Sequence, residues 1–335
     1  MHLCAAALCA AGACENLKRG LVMSKKKKII ILVAVCVCAL AIGLGCFFGI
    51  RKYLEEKITF TVNDTLPDGE GREVSVILLG GQSNASGCSL DSYLAKNVSP
   101  EKYAEYQNGY DNVYINYLSG ANRSGGFVKC ATLQGELAGA FGPELGLADK
   151  LNELYPDRTF FIIKCAWGGT NLFEQWLSPS SDGKTGDLYR QFEAYVNASL
   201  EYLVSKNYDV KLEGMCWMQG ESDSFSTEHS EAYGEHLSNF IADVRREFSR
   251  YASDDGIAFI DAYIAPNPVF WVYYEGVNNG KREVAESSEL NVVVDTYDLI
   301  TTEEPEGTPD VPHYDSLSEI ALGHRFAEGI SQFLD

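Results

Sequence analysis

Apolar runs of strand length alternate with longer helical segments along residues 74–335, and this alternation narrows the fold more than any other feature. Residues 74–79 form a continuous apolar run, the pattern of a strand buried in a parallel sheet, and 159–165, 212–218, 257–263 and 291–296 are further strand candidates. Residues 143–154, 187–206, 227–251 and 316–334 carry helical patterns. Strand–helix alternation at this spacing predicts an α/β fold, a three-layer α/β/α sandwich around a central parallel sheet. Such sheets place ligands at the carboxyl ends of their strands, along one edge. No internal repeat or low-complexity tract interrupts residues 74–335, which are long enough for one large domain.

The chain has 335 residues and a net charge of −20. Residues 58–335 alone hold 18 Lys and Arg against 44 Asp and Glu, a balance of −26. So acidic a surface repels phosphate backbones, and nucleic acid is not an expected partner.

The N-terminal part reads differently. Lys25, Lys26, Lys27 and Lys28 precede an unbroken apolar run at 29–50. At about 1.5 Å per residue the run spans roughly 33 Å, the thickness of a bilayer core. It is longer than the apolar region of a cleaved signal peptide, so an uncleaved transmembrane signal-anchor is expected. The lysines then mark 1–28 as a cytoplasmic tail and put the C-terminal domain outside the cell. Residues 51–73 read as a linker. Met23-Ser24-Lys25 resembles a start of translation, and residues 1–22 are expected to be untranslated.

Four cysteines belong to the domain: Cys88, Cys130, Cys165 and Cys216. No pair has metal-ligand spacing, and neither metal nor cofactor is expected. Cys165 and Cys216 sit in apolar runs and read as buried small hydrophobes. Cys88 and Cys130 are the pair that an oxidising compartment could join.

Four short words carry the chemistry. The first is Gly81-Gln82-Ser83-Asn84, directly after the first strand. Its glycine permits a tight turn, and a helix starting there aims N–H groups at a reacting carbonyl. Ser83 reads as a nucleophile, although a serine at such a turn also suits a helix cap. The second word, Gly168-Gly169-Thr170, follows the second run. The third, Trp217-Met218-Gln219-Gly220-Glu221-Ser222-Asp223, closes the third run. Gly168, Gly169 and Gln219 read as oxyanion donors beside the Ser83 N–H, with Asn84 at the same site. The fourth word is Asp310-Val311-Pro312-His313. His313 reads as the base and Asp310 as the acid that orients it, with Glu221 the alternative acid. His229 and His236 look solvent-facing on a polar helix, and His324 reads as a packing or capping residue.

In order, these words resemble those of the SGNH-type carbohydrate esterases, closest to the sialate O-acetylesterase/acetylxylan esterase group, carbohydrate esterase family six. Phe141-Gly142-Pro143-Glu144-Leu145 and Leu322-Gly323-His324-Arg325-Phe326-Ala327 support the likeness. It covers residues from about Val74 to the C-terminus. Ala85 departs from the pattern, which often has Met there. The resemblance implies a flavodoxin-like fold and metal-free removal of acetyl groups from a glycan, without fixing the sugar. Two alternatives stay open: a catalytically silent surface glycan-binding module, and a serine esterase acting on acylated peptidoglycan.

The stretch 90–134 is rich in Tyr, Asn, Ser and Gly and has weak periodicity. It reads either as a binding loop or as a surface insertion. Trp176, Trp271, Tyr273 and Tyr274 lie in loop-like segments, where an aromatic face suits a sugar ring.

Overall fold

A computed structural model describes residues 58–302 and 310–334. The apolar run 29–50, the tail before it and the start of the linker lie outside the described residues. Among the described residues no helix is long and apolar enough to cross a membrane.

The sheet is built on β1 (Glu73–Gly81), β2 (Val113–Ser119), β3 (Phe160–Ala166), β4 (Asp209–Met218), β5 (Ala258–Ala262) and β6 (Asn291–Val294). They run parallel in the order β6-β5-β4-β1-β3-β2. Beyond β2, the short strands Asn122–Arg123 and Val128–Lys129 pair antiparallel, so the sheet is mixed rather than purely parallel. Every residue of β1 after Glu73 is buried. Successive side chains point to opposite faces, so both faces of the sheet are covered, as a layer on each side requires.

Four helices match the expected ones: α4 (Glu144–Leu154), α5 (Asp187–Ser205), α6 (Thr227–Glu247) and α8 (Ser316–Ile330). α4 and α8 lie backbone to backbone through glycines. A Cβ on Gly146 would stand 2.2 Å from Ile320 O, and one on Gly323 would stand 2.3 Å from Pro143 O. His324 pairs with Asp149 across this contact at 3.0 Å.

The stretch 90–134 is neither wholly loop nor insertion. It holds α2 (Asp91–Asn97), α3 (Pro100–Asn108) and the sheet strand β2. β2 escapes a hydropathy reading because Asn116 is buried in its middle. The Asn116 amide donates to Ser199 Oγ at 3.0 Å and accepts from Ser124 Oγ at 2.9 Å, which offsets the cost of burying it. A further helix, α7 (Tyr274–Glu286), is not among the expected elements, although its buried Val277, Gly280, Lys281 and Val284 recur at helical spacing. Gly276 and Gly280 let α7 approach Ser230 and Gly234 of α6.

Residues 58–72 do not stand off as a linker. Phe60 packs edge-on against Tyr195 at 5.1 Å, and Thr65 and Leu66 donate backbone N–H bonds to the Tyr202 hydroxyl. No disulfide joins Cys88 and Cys130. Cys130 is buried and donates to Glu144 O at 3.4 Å.

Candidate active site

β1 ends between β3 and β4, and the chain's first word turns there. Gly81 has φ +136°, and a Cβ on it would lie 1.9 Å from Met218 O, so only glycine fits. Gln82 N–H donates to Met218 O at 2.9 Å and Trp167 N–H to Gly81 O at 3.0 Å. These bonds fix the start of α1 (Ser83–Ser86), a single turn of four residues. So short a helix offers Ser83 orphan N–H donors rather than a sizeable dipole.

Two side chains of this word hold its neighbours. The buried Gln82 amide oxygen accepts from Gly220 N, Ser222 N and Gln219 Nε2, each at 3.2 Å. The buried Asn84 amide donates to Glu221 Oε1 at 2.8 Å and to Pro312 O at 3.1 Å, and accepts from Tyr314 N at 3.2 Å. Asn84 thus clamps the nucleophile turn to the third and fourth words. With its hydrogens so engaged, it serves as a strut rather than a contact to substrate.

The two glycines of the second word differ. Gly168 N–H donates to Glu136 Oε2 at 2.9 Å, and Ser86 Oγ donates to the same oxygen at 2.5 Å. Gly169 has φ +68°, with nothing within 4 Å of where a Cβ would stand. It therefore faces open space on the pocket wall. Glu136, which motif reading missed, thus lines the pocket and holds Gly168 and Ser86.

Gln219 is fully buried and lies behind the wall, not on it. Its Nε2 donates to Asp223 Oδ2 at 2.6 Å and Thr170 O at 3.0 Å, and its Oε1 accepts from Tyr233 OH at 3.0 Å. Asp223 also accepts from the N–H groups of Leu172 and Phe173, tying the second word to the third. Burial pushes the Asp223 carboxyl up to about 7, against the pull of these donors.

His313 lies in the strand Asp310–Tyr314, which pairs antiparallel with Thr301–Thr302. Thr301 faces Tyr314 and Thr302 faces Asp310, so the three residues between bulge out of the ladder. A regular strand would put Asp310 and His313 on opposite faces, and the bulge lifts that restriction. The Asp310 side chain lies outside the described residues.

Ser83 and His313 line one pocket of about 340 Å³, together with Gly168, Gly169, Glu136 and Glu221. Glu221 is buried, with Oε1 bound by Asn84 and no partner for Oε2 among the described residues. Burial pushes its carboxyl up. Its backbone, Asn84, Lys281 and His313 pull the other way. Among the described residues no group of three or more His, Cys, Asp and Glu is placed to hold a metal ion.

Beneath the turn, the Lys164 ammonium on β3 donates to Glu144 Oε2 at 2.6 Å and to Ser86 O at 3.0 Å. Both charged groups are wholly buried. The pair explains Glu144 in Phe-Gly-Pro-Glu-Leu: it braces the turn that presents Ser83.

The aromatic residues separate. Trp176 is core, packed edge-on to Trp217 at 5.2 Å with its indole N–H on Thr170 Oγ1. Trp271 is buried but lines the pocket. Tyr273 stays exposed beside it, and Tyr274 opens α7. Phe225 and Phe270, unremarked in the sequence, form the outer rim, their ring centroids 6.1 Å apart. His229 stacks on Phe173 at 4.1 Å rather than facing solvent.

A family model described as carbohydrate esterase, sialic acid-specific acetylesterase, matches residues 73–332. A probable 9-O-acetyl-N-acetylneuraminic acid deacetylase of Escherichia coli is 28% identical over 127 residues, 34% of this chain and 37% of that protein. The match thus spans well under half of that relative. The crystal structure of NanS superposes with a TM-score of 0.57 at 18% identity, over 78% of this chain and 98% of the other. A protein from Arabidopsis thaliana gives the same score and identity, over 78% and 100%. These two likenesses bear on the fold. The family match spans most of the chain, which therefore belongs to the carbohydrate esterases described as sialic acid-specific acetylesterases.

Proposed function

We propose that the chain removes O-acetyl groups from sugars through an acetyl-enzyme on Ser83. The observation that carries this reading is that Ser83 and His313, from opposite ends of the domain sequence, line one pocket that Gly169 lines too. Ser83 Oγ attacks the acetyl carbonyl carbon as His313 takes the hydroxyl proton. The tetrahedral oxyanion accepts from the N–H groups of Ser83 and Gly169, each such donor contributing about 10²–10³ in rate. This reading does not use Gly168 as a donor, since its N–H donates to Glu136. The C–O bond to the sugar breaks, and His313 returns its proton to the sugar oxygen. Water, deprotonated by His313, then attacks the acetyl-Ser83 carbonyl and releases acetate and free Ser83.

Asp310 orients His313 in this reading, three residues before it and across the bulge. Glu221 supports the site from below, where an elevated carboxyl suits a hydrogen-bonded strut better than a fixed negative charge. Treatment with a fluorophosphonate followed by peptide mapping tests the nucleophile. Label on the peptide holding Ser83, lost in His313→Ala, is expected; label elsewhere overturns the assignment. The apolar run at 29–50 and the four lysines before it support an anchor with the domain outside the cell. Protease added to intact cells is then expected to degrade the domain, and full protection contradicts that topology.

A further inference from the structure

We propose that the side-chain amide of Gln82 is a third donor to the oxyanion that forms on the acetyl group, and so a further catalytic residue. The inference rests on the acetylesterase reading and adds to the donors that reading already uses, the N–H groups of Ser83 and Gly169.

The neighbours of this amide fix which way it faces. Two of the groups on Gln82 Oε1 are the backbone N–H groups of Gly220 and Ser222, which can only donate. The atom that meets them is therefore the oxygen, and Nε2 points away from them. Gln82 is 3% exposed, and it lines the pocket with Ser83 and His313. Its Nε2 has no acceptor among the described residues, yet, unlike Glu221 Oε2, it is not shut off from solvent. A buried amide whose hydrogens go unmatched costs free energy until a ligand takes them up. In a pocket where an ester reacts, negative charge developing on the carbonyl oxygen is the ligand that such a donor suits.

A comparison with Gln219 shows why the role falls to Gln82. The sequence points to Gln219 as the side-chain donor, but its Nε2 is taken up by Asp223 Oδ2, Thr170 O and Gln82 Oε1. The last of these bonds strengthens its neighbour. With three N–H groups on its oxygen the Gln82 amide is polarised, which makes its own N–H groups better donors. The chain from Asp223 through Gln219 to Gln82 also holds the amide in place before substrate arrives. No reorganisation is then needed as charge develops.

The test pairs 4-nitrophenyl acetate with 4-nitrophenyl thionoacetate, whose carbonyl oxygen is replaced by sulfur, a weak hydrogen-bond acceptor. Release of the nitrophenol is followed in a single turnover with the full chain in excess over substrate. Gln82→Met removes the donor together with the bonds of Oε1. Gln82→Glu keeps an oxygen for the three N–H groups and puts a second oxygen in place of the donor, so it carries the test if Gln82→Met fails to fold. Its new charge bears on both esters alike. In each variant the rate constant for the oxygen ester is expected to fall at least about tenfold further than that for the thionoester. Damage to the turn alone slows both esters by the same factor. That result overturns the proposal, as does an unchanged rate on the oxygen ester. Inactivity of the wild type on 4-nitrophenyl acetate overturns the esterase reading beneath it instead.

Discussion

At the floor of the pocket lies Gln82, and behind it Asn84, Gln219 and Asp223; all four are buried and tied to one another's loops by hydrogen bonds of 2.6–3.3 Å. At the rim, Leu137, Phe225 and Phe270 present exposed apolar surface. The floor is over-determined because ester hydrolysis needs its nucleophile, base and donors held before the substrate arrives. The rim needs only shape and the right polarity. Changes at the floor should therefore damage stability or turnover, and changes at the rim should alter which sugar is bound.

The largest effect is expected under the floor. Lys164→Met leaves the Glu144 carboxylate buried without its cation and frees Ser86 O, at a cost of about 3–5 kcal/mol. Urea unfolding of the variant measures it, and a loss below about 1 kcal/mol would show that the pair does not brace the turn. Next is a pH effect at Asp223. Its folded carboxyl titrates near 7, above the ordinary value of 3.8. The stability tied to its protonated form is complete below about pH 4 and is lost as pH rises to about 7. Asp223→Asn cannot ionise, so its Tm should gain on the wild type across that window; a constant Tm difference contradicts the shift. The smallest effect belongs to the rim. Phe225→Ala should raise KM for a sugar ester by about 2–10-fold with a lesser change in kcat, as read from steady-state kinetics. An effect mainly on kcat would erase the distinction between rim and floor.

Much of this was legible in the chain because strand ends and glycine turns are local signals. The three words after β1, β3 and β4 converge because parallel strands bring their carboxyl ends to one edge, and β1 sits where the strand order reverses. Roles inside the words were harder to read. Gln219 and Gly168 look like donors in sequence, yet Asp223 and Glu136, four and thirty-two residues away, take up their N–H groups. Such pairings depend on three-dimensional proximity and leave no spacing rule. β2 was obscured for the same reason, its buried Asn116 being polar by type and structural by context, whereas α7 carries buried residues at helical spacing that the sequence reading passed over.

The central claim is that Ser83 and His313 together perform the hydrolysis. Its most direct test is hydrolysis of 4-nitrophenyl acetate by the full chain beside Ser83→Ala and His313→Ala. The account predicts an active wild type and a fall in kcat/KM of at least about 10³-fold in each variant. An inactive wild type, or full activity in Ser83→Ala, would contradict it.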